Sequence, residues 1–123
     1  MRSGNAVRRT MVEMRKGKVY IQGMFAGFIR ETDEGYCFQY HETYLLLENP
    51  PAVSLTIPVR REPYLSNVLF PFFDGLIPEG WLLNVVSRNW KIDRSDRFGL
   101  LLNVCRDCIG DVWIERDNTG EEE

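Results

Sequence analysis

The stretch KVYIQGMFAGFIRETDEGYCFQY, Lys18 to Tyr40, sets the fold. Its opening, Lys18 to Gly23, alternates apolar and polar side chains and reads as a strand that closes on Gln22-Gly23 as a turn. Phe25 to Arg30 reads as a second strand and Thr32 to Gly35 (TDEG) as a second turn. Tyr36 to Tyr40 (YCFQY) is rich in aromatics and predicts a third strand. Three strands joined by such short turns form an antiparallel meander, with one face buried and one face wet.

Outward from the meander the signals are mixed. His41 to Glu48 stays open between helix and irregular chain, and Asn49-Pro50-Pro51 ends it because neither proline can continue a helix. Val53 to Val59 (VSLTIPV) is β-branched and predicts a fourth strand. Pro58 lacks an amide hydrogen, which places that part at an edge or a strand end. A loop from Arg60 to Ser66 leads into the aromatic cluster Phe70 to Phe73. Pro78 suits the first turn of a helix, and Trp81, Leu82, Val85, Val86 and Trp90 follow at helical spacing. Asp93 and Ser95 are candidate caps for a second helix from about Asp96 to Cys105. Gly110 closes it, and Asp111 to Glu115 (DVWIE) predicts a last strand. The class is therefore α+β, a small antiparallel sheet or partial β-barrel capped by two helices. The expected organisation is a flexible basic leader (1–17), one domain (18–116) and a disordered acidic tail (117–123).

A chain of 123 residues that is 44% hydrophobic supports one core but not two. The net charge of −3 is unevenly spread: residues 1–18 hold six basic side chains and one acid, which leaves −8 for the remainder. An acidic body argues against a nucleic-acid reader, which needs cations to displace the counterions of the phosphates. The leader alone is basic enough to touch DNA. No run of about 18 apolar residues predicts a membrane helix, and the leader lacks the apolar centre of a secretory signal. Three cysteines without such a signal predict free thiols and a cytoplasmic location.

The search for chemistry is mostly negative. GLIPEG, Gly75 to Gly80, has the glycine spacing of a P-loop, but Trp81 and Leu82 stand where Lys and Ser/Thr must follow. Neither an HRD-like catalytic loop nor a DFG-like metal ligand is present. Cys105 and Cys108 form a C-x-x-C pair. A four-ligand zinc site would need Cys37 and His41 as well, brought together across a strand end, so no metal is expected. Asp74 and Glu79 are the most suggestive acid pair, but glycosidase chemistry would need them to face each other across a cleft. A plainer role is available: Glu79 complements the positive end of the helix that Pro78 starts, and Asp74 stabilises the preceding turn. No catalytic residue, cofactor or small-molecule substrate is expected. What stays unexplained is the density of apolar side chains (Phe70, Phe72, Phe73, Leu76, Ile77, Trp81) around two turns. Aromatics held on a rigid turn are typical binding anchors.

At this segment the chain resembles a known family. PFFDGLIPEGW, followed by DRFGLLLNVCRDCIGDVWI from Asp96 to Ile114, is similar to the N-terminal subdomain of HipA-type serine/threonine kinases, the toxins of bacterial HipBA toxin–antitoxin modules. VYIQGMFAGFIRE and VSLTIPV fit the opening sheet of that subdomain, and the resemblance runs from Lys18 to Arg116. Those kinases continue into a glycine-rich loop and a catalytic domain, whereas this chain ends in GEEE. That looks like the split HipBST arrangement, in which the subdomain is a separate, HipS-like protein. The resemblance implies a non-enzymatic antitoxin that binds and inhibits a HipT-like kinase, in a ternary complex with a HipB-like DNA-binding protein, and reaches DNA only indirectly. The alternative is a structural subunit of that complex without inhibitory action. The expected partner contacts are Phe72, Phe73, Asp74 and Gly75 in the first turn and Pro78, Glu79, Gly80 and Trp81 in the second.

Overall fold

The computed structural model describes residues 14–77, 95–104 and 111–117. Strands β1 (Lys16–Ile21), β2 (Met24–Thr32) and β3 (Gly35–Tyr40) form the expected antiparallel meander. A short helix α1 (Glu42–Leu45) follows, then strand β4 (Tyr64–Ser66), helices α2 (Pro71–Asp74) and α3 (Arg97–Val104), and strand β5 (Val112–Arg116). The five strands run in the order β4-β3-β2-β1-β5, so the last strand closes beside the first. The class is α+β, as read from the sequence. No helix among the described residues is long and apolar enough to cross a membrane.

The β1–β2 turn needs two residues with positive φ, and Gln22 (52°) and Gly23 (84°) supply them. Such a turn matches the right-handed twist of the strands it joins. The alternation of β1 then sends Val19 and Ile21 inward, where they meet Ile29, Phe38, Tyr40 and Ile114 in one buried cluster. Helices α2 and α3 cover this inner face, contributing Phe73, Leu100, Leu101 and Leu102. Close approach is possible because Gly17 is bare: a Cβ there would lie 2.6 Å from Leu102 Cδ2. Between Val19 and Tyr20 the register slips by one residue, making Ala26 an extra residue in β2. That is a β-bulge, and its Ala26 carbonyl accepts the His41 N–H at 2.8 Å.

Three expectations are corrected. Val53–Val59 is not a strand. Ser54 and Ile57 make an isolated bridge across a tight turn, and Val53 and Ile57 point inward while Leu55 is 99% exposed. The Tyr40 hydroxyl takes up the backbone, accepting from Val53 N–H and donating to the Ile57 carbonyl. A neighbouring strand is thus replaced by one side chain. The fourth strand is β4, inside the stretch expected to be loop, and it pairs Tyr64, Leu65 and Ser66 with Phe38, Cys37 and Tyr36. The cap of α3 is Asp96, whose Oδ1 accepts Gly99 N–H at 3.1 Å, rather than Ser95; Asp93 lies outside the described residues.

The domain edges also move. Arg15 and Lys16, placed in the leader, belong to the fold: Lys16 opens β1, and Lys16 Nζ pairs with buried Asp117 at 3.4 Å. Asp117, placed in the tail, is 4% exposed. The helix expected from Pro78, the Cys105/Cys108 pair and Gly110 lie outside the described residues.

Candidate docking surface

The segment 70–77 is a run of turns rather than a loop. Pro71 occupies the first position of α2, where a missing N–H does no harm. Asp74 N–H then bonds to Phe70 O, Gly75 N–H to Pro71 O, Leu76 N–H to Phe73 O and Ile77 N–H to Asp74 O, at 2.9 to 3.2 Å. The result is a rigid knuckle. Phe73 and Ile77 are its inward anchors, while Phe72, Leu76 and Asp74 are half-buried and Pro71 and Gly75 exposed.

Phe73 is 0% exposed and packs its ring against those of Phe38 (5.5 Å), Phe72 (5.3 Å) and Phe70 (6.2 Å). Of the expected contacts, Phe73 is therefore core: its ring fixes the knuckle and has no surface to offer a partner. Phe72 keeps open surface. Asp74 does not serve its own turn. Its Oδ1 accepts Arg97 Nε at 2.7 Å, an ion pair that ties α2 to α3. Gly75 closes α2 with φ −70°, an ordinary right-handed value. Pro78, Glu79, Gly80 and Trp81 lie outside the described residues.

Sequence reasoning missed the charged frame behind the knuckle. Arg15 makes two forks at once. Its Nη2 meets Glu31 Oε2 at 2.9 Å and its Nη1 meets Asp96 Oδ2 at 2.8 Å, with further bonds from Nε to Glu31 and from Nη2 to Asp96 Oδ1. Bidentate pairs of this kind fix orientation as well as charge. The hydrogen bonds that Arg15 donates to Asp96 and then to Glu31 raise its pKa above the ordinary arginine value. The Arg15 guanidinium, in turn, holds the Asp96 carboxyl below the usual range against the opposing effect of burial. Asp96 also caps α3, so Arg15 links β1, β2 and the start of α3. Through Arg97 and Asp74 that frame extends to α2. The signal was invisible because Arg15 sits among other basic residues in the leader.

The remaining candidates fit structural roles. Cys37 is buried in β3. His41 Nδ1 accepts Thr43 N–H at 3.2 Å and so caps α1.

The comparisons agree with this architecture. The family model of the HipA N-terminal domain matches residues 17–115. An uncharacterised protein of Haemophilus influenzae is 38% identical over 104 residues, covering 85% of this chain and 94% of its own length. A solved structure, the N-terminal domain of HipA toxin, superposes with a TM-score of 0.66 at 35% identity, over 85% of this chain and 94% of that one. A putative kinase, Y4mE of Sinorhizobium fredii, is 29% identical over 97 residues, 78% of this chain but 23% of the kinase. The described strands and helices make up a small α+β domain of the kind found at the N-terminus of these toxins. The chain belongs to the HipA N-terminal domain family.

Proposed function

We propose that this chain is a HipS-like antitoxin, a non-enzymatic protein of the cytoplasm that binds and restrains a separate HipT-like serine/threonine kinase alongside a HipB-like DNA-binding protein. The observation that carries this reading is how the domain is distributed among its relatives. It spans 94% of the Haemophilus chain yet 23% of the putative kinase of Sinorhizobium. One domain thus occurs both nearly alone and as a fraction of a kinase-sized chain, as a split system requires.

The kinase-facing surface in this reading is the knuckle and its continuation: Phe72, Asp74 and Gly75, then Pro78, Glu79, Gly80 and Trp81. Phe73 acts behind it by holding the turn. Trp81 is the anchor, a large amphipathic side chain that follows a glycine in the sequence. It inserts near the nucleotide or activation-loop region of the kinase and blocks the productive arrangement. Trp81→Ala should weaken inhibition of the co-expressed kinase by roughly 30-fold or more, the range of an interface hot spot. Unchanged inhibition, with the circular dichroism and melting of the variant intact, would sink the idea.

A second reading, a structural subunit of a repressor complex without inhibitory action, draws support from the basic leader. Deleting residues 1–13 should then weaken operator binding by the assembled complex and leave kinase inhibition unaltered, as read by electrophoretic mobility shift and kinase assay. The deletion must stop there, because Arg15 and Lys16 are built into the sheet.

A further inference from the structure

The sheet has a second face, turned away from α2 and α3. The register places Lys18 beside Phe28, Phe28 beside Gln39, and Tyr20 between Phe25 and Trp113. The rings touch in sequence. Trp113 stacks on Tyr20 at 5.1 Å and 19°, Tyr20 meets Phe25 at 5.8 Å, and Phe25 meets Phe28 at 5.1 Å and His41 at 5.2 Å. All five are half-buried. A regular β2 would turn Phe25 inward, and the bulge at Ala26 brings it into this row instead.

Beyond the Phe28–His41 end the row opens into a shallow cleft lined by Arg30, Gln39, Glu42 and Arg61. Charge on this face is unbalanced. Glu115 accepts the Tyr20 hydroxyl at 3.2 Å, and Asp117 holds Lys16, whose Nζ also sits 4.6 Å from the centre of the Phe28 ring. Among the described residues Lys18, Arg30 and Arg61 take part in no ion pair; Glu115 faces Lys18 across the β1–β5 register, and Glu42 is the carboxylate lining the cleft. Half-open aromatic rings bordered by arginine are the composition of a protein interface centre.

We propose that this face is a second docking surface, separate from the 70–81 segment, and that it takes an acidic extended segment of a partner protein. Carboxylates of the segment meet Arg30, Arg61 and Lys18, and its apolar side chains lie along Phe28, Phe25, Tyr20 and Trp113. Nucleic acid fits less well: base stacking needs open ring faces, and here Tyr20 and Trp113 stack on each other.

The test is a titration of the isotope-labelled full chain, followed by NMR, with a short peptide of alternating glutamate and leucine. Parallel titrations use the alternating lysine–leucine peptide and a short oligothymidylate. The glutamate peptide should shift the Trp113 indole and the outer-face resonances of β1 and β2. Arg30→Glu combined with Arg61→Glu should weaken it at least tenfold, and so should Trp113→Ala, while core methyl resonances stay in place. Lys18→Glu, at a half-buried position on the outer face of β1, gives an independent reading should Trp113→Ala disturb the sheet. Absence of outer-face shifts, equal binding of the lysine peptide, or tighter binding of the oligothymidylate overturns the proposal. Kinase inhibition reads the 70–81 segment, so the two readings fail separately.

Discussion

The Tyr40 hydroxyl does the work of a missing strand. It joins β3 to the Val53–Ile57 turn through one accepted and one donated hydrogen bond. Tyr40→Phe would leave a buried N–H and a buried carbonyl unmatched, and we expect a loss of about 1–3 kcal/mol in urea denaturation. Burial pushes the Tyr40 pKa up to about 12 from 10.0. The folded value lies above the unfolded one, so this contribution is complete below pH 10 and is lost as pH rises from 10 towards 12. Stability measured across that window should fall more steeply in the wild type than in Tyr40→Phe. Two glycines separate backbone crowding from side-chain crowding. A Cβ on Gly27 would lie 2.2 Å from the Gln39 carbonyl oxygen, which cannot move without breaking the ladder, whereas on Gly17 it meets the end of the Leu102 side chain. Gly27→Ala should therefore destabilise by roughly 1–3 kcal/mol or more, and Gly17→Ala by less, in the same urea assay. At this scale the sequence shows which residues are aromatic but not which way they turn. Phe72 and Phe73 are adjacent and identical in type, and only the packing of α2 makes one core and the other surface.

Among the elements, α3 is the one held by charge. Arg15→Ala would remove the guanidinium from Glu31, a carboxylate 4% exposed, and take a partner from Asp96 as well. We expect a loss of roughly 3 kcal/mol in thermal or chemical unfolding, the lower end for a broken buried pair because Arg15 is partly open to water. The Asp96 carboxyl is depressed below 3.8 in the folded chain. Its contribution is thus present above that pH and lost as pH falls through the folded value, so Asp96→Asn should flatten the acid limb of the stability profile. The meander was legible because alternation and turn residues agreed over Lys18–Tyr40. VSLTIPV misled because β-branched side chains show that a stretch can pair and not that a neighbour is there to pair with. Strand β4 was missed for the opposite reason: three residues are too few for a pattern. The frame of α3 was hidden because an ion pair across 81 residues leaves no local trace.

For the whole molecule, class and family could be read from sequence, because the paired motifs around Phe70–Trp81 and Asp96–Ile114 are long and specific. The surfaces could not. The knuckle was visible as a cluster of aromatics in turns, and its division into anchor and contact came from burial. The outer aromatic row was invisible, since its members come from three strands and the cap of α1 and depend on one slipped residue at Ala26.

One small contact, Lys16 to Asp117, has a larger meaning. It holds the point where the chain enters the sheet next to the point where it leaves, on neighbouring antiparallel strands. A domain whose two ends meet can be spliced into a longer polypeptide, or cut free of one, without being pulled apart. The geometry thus makes the domain portable between genes, and a gene fission or fusion at its border changes what the domain is attached to without changing how it folds.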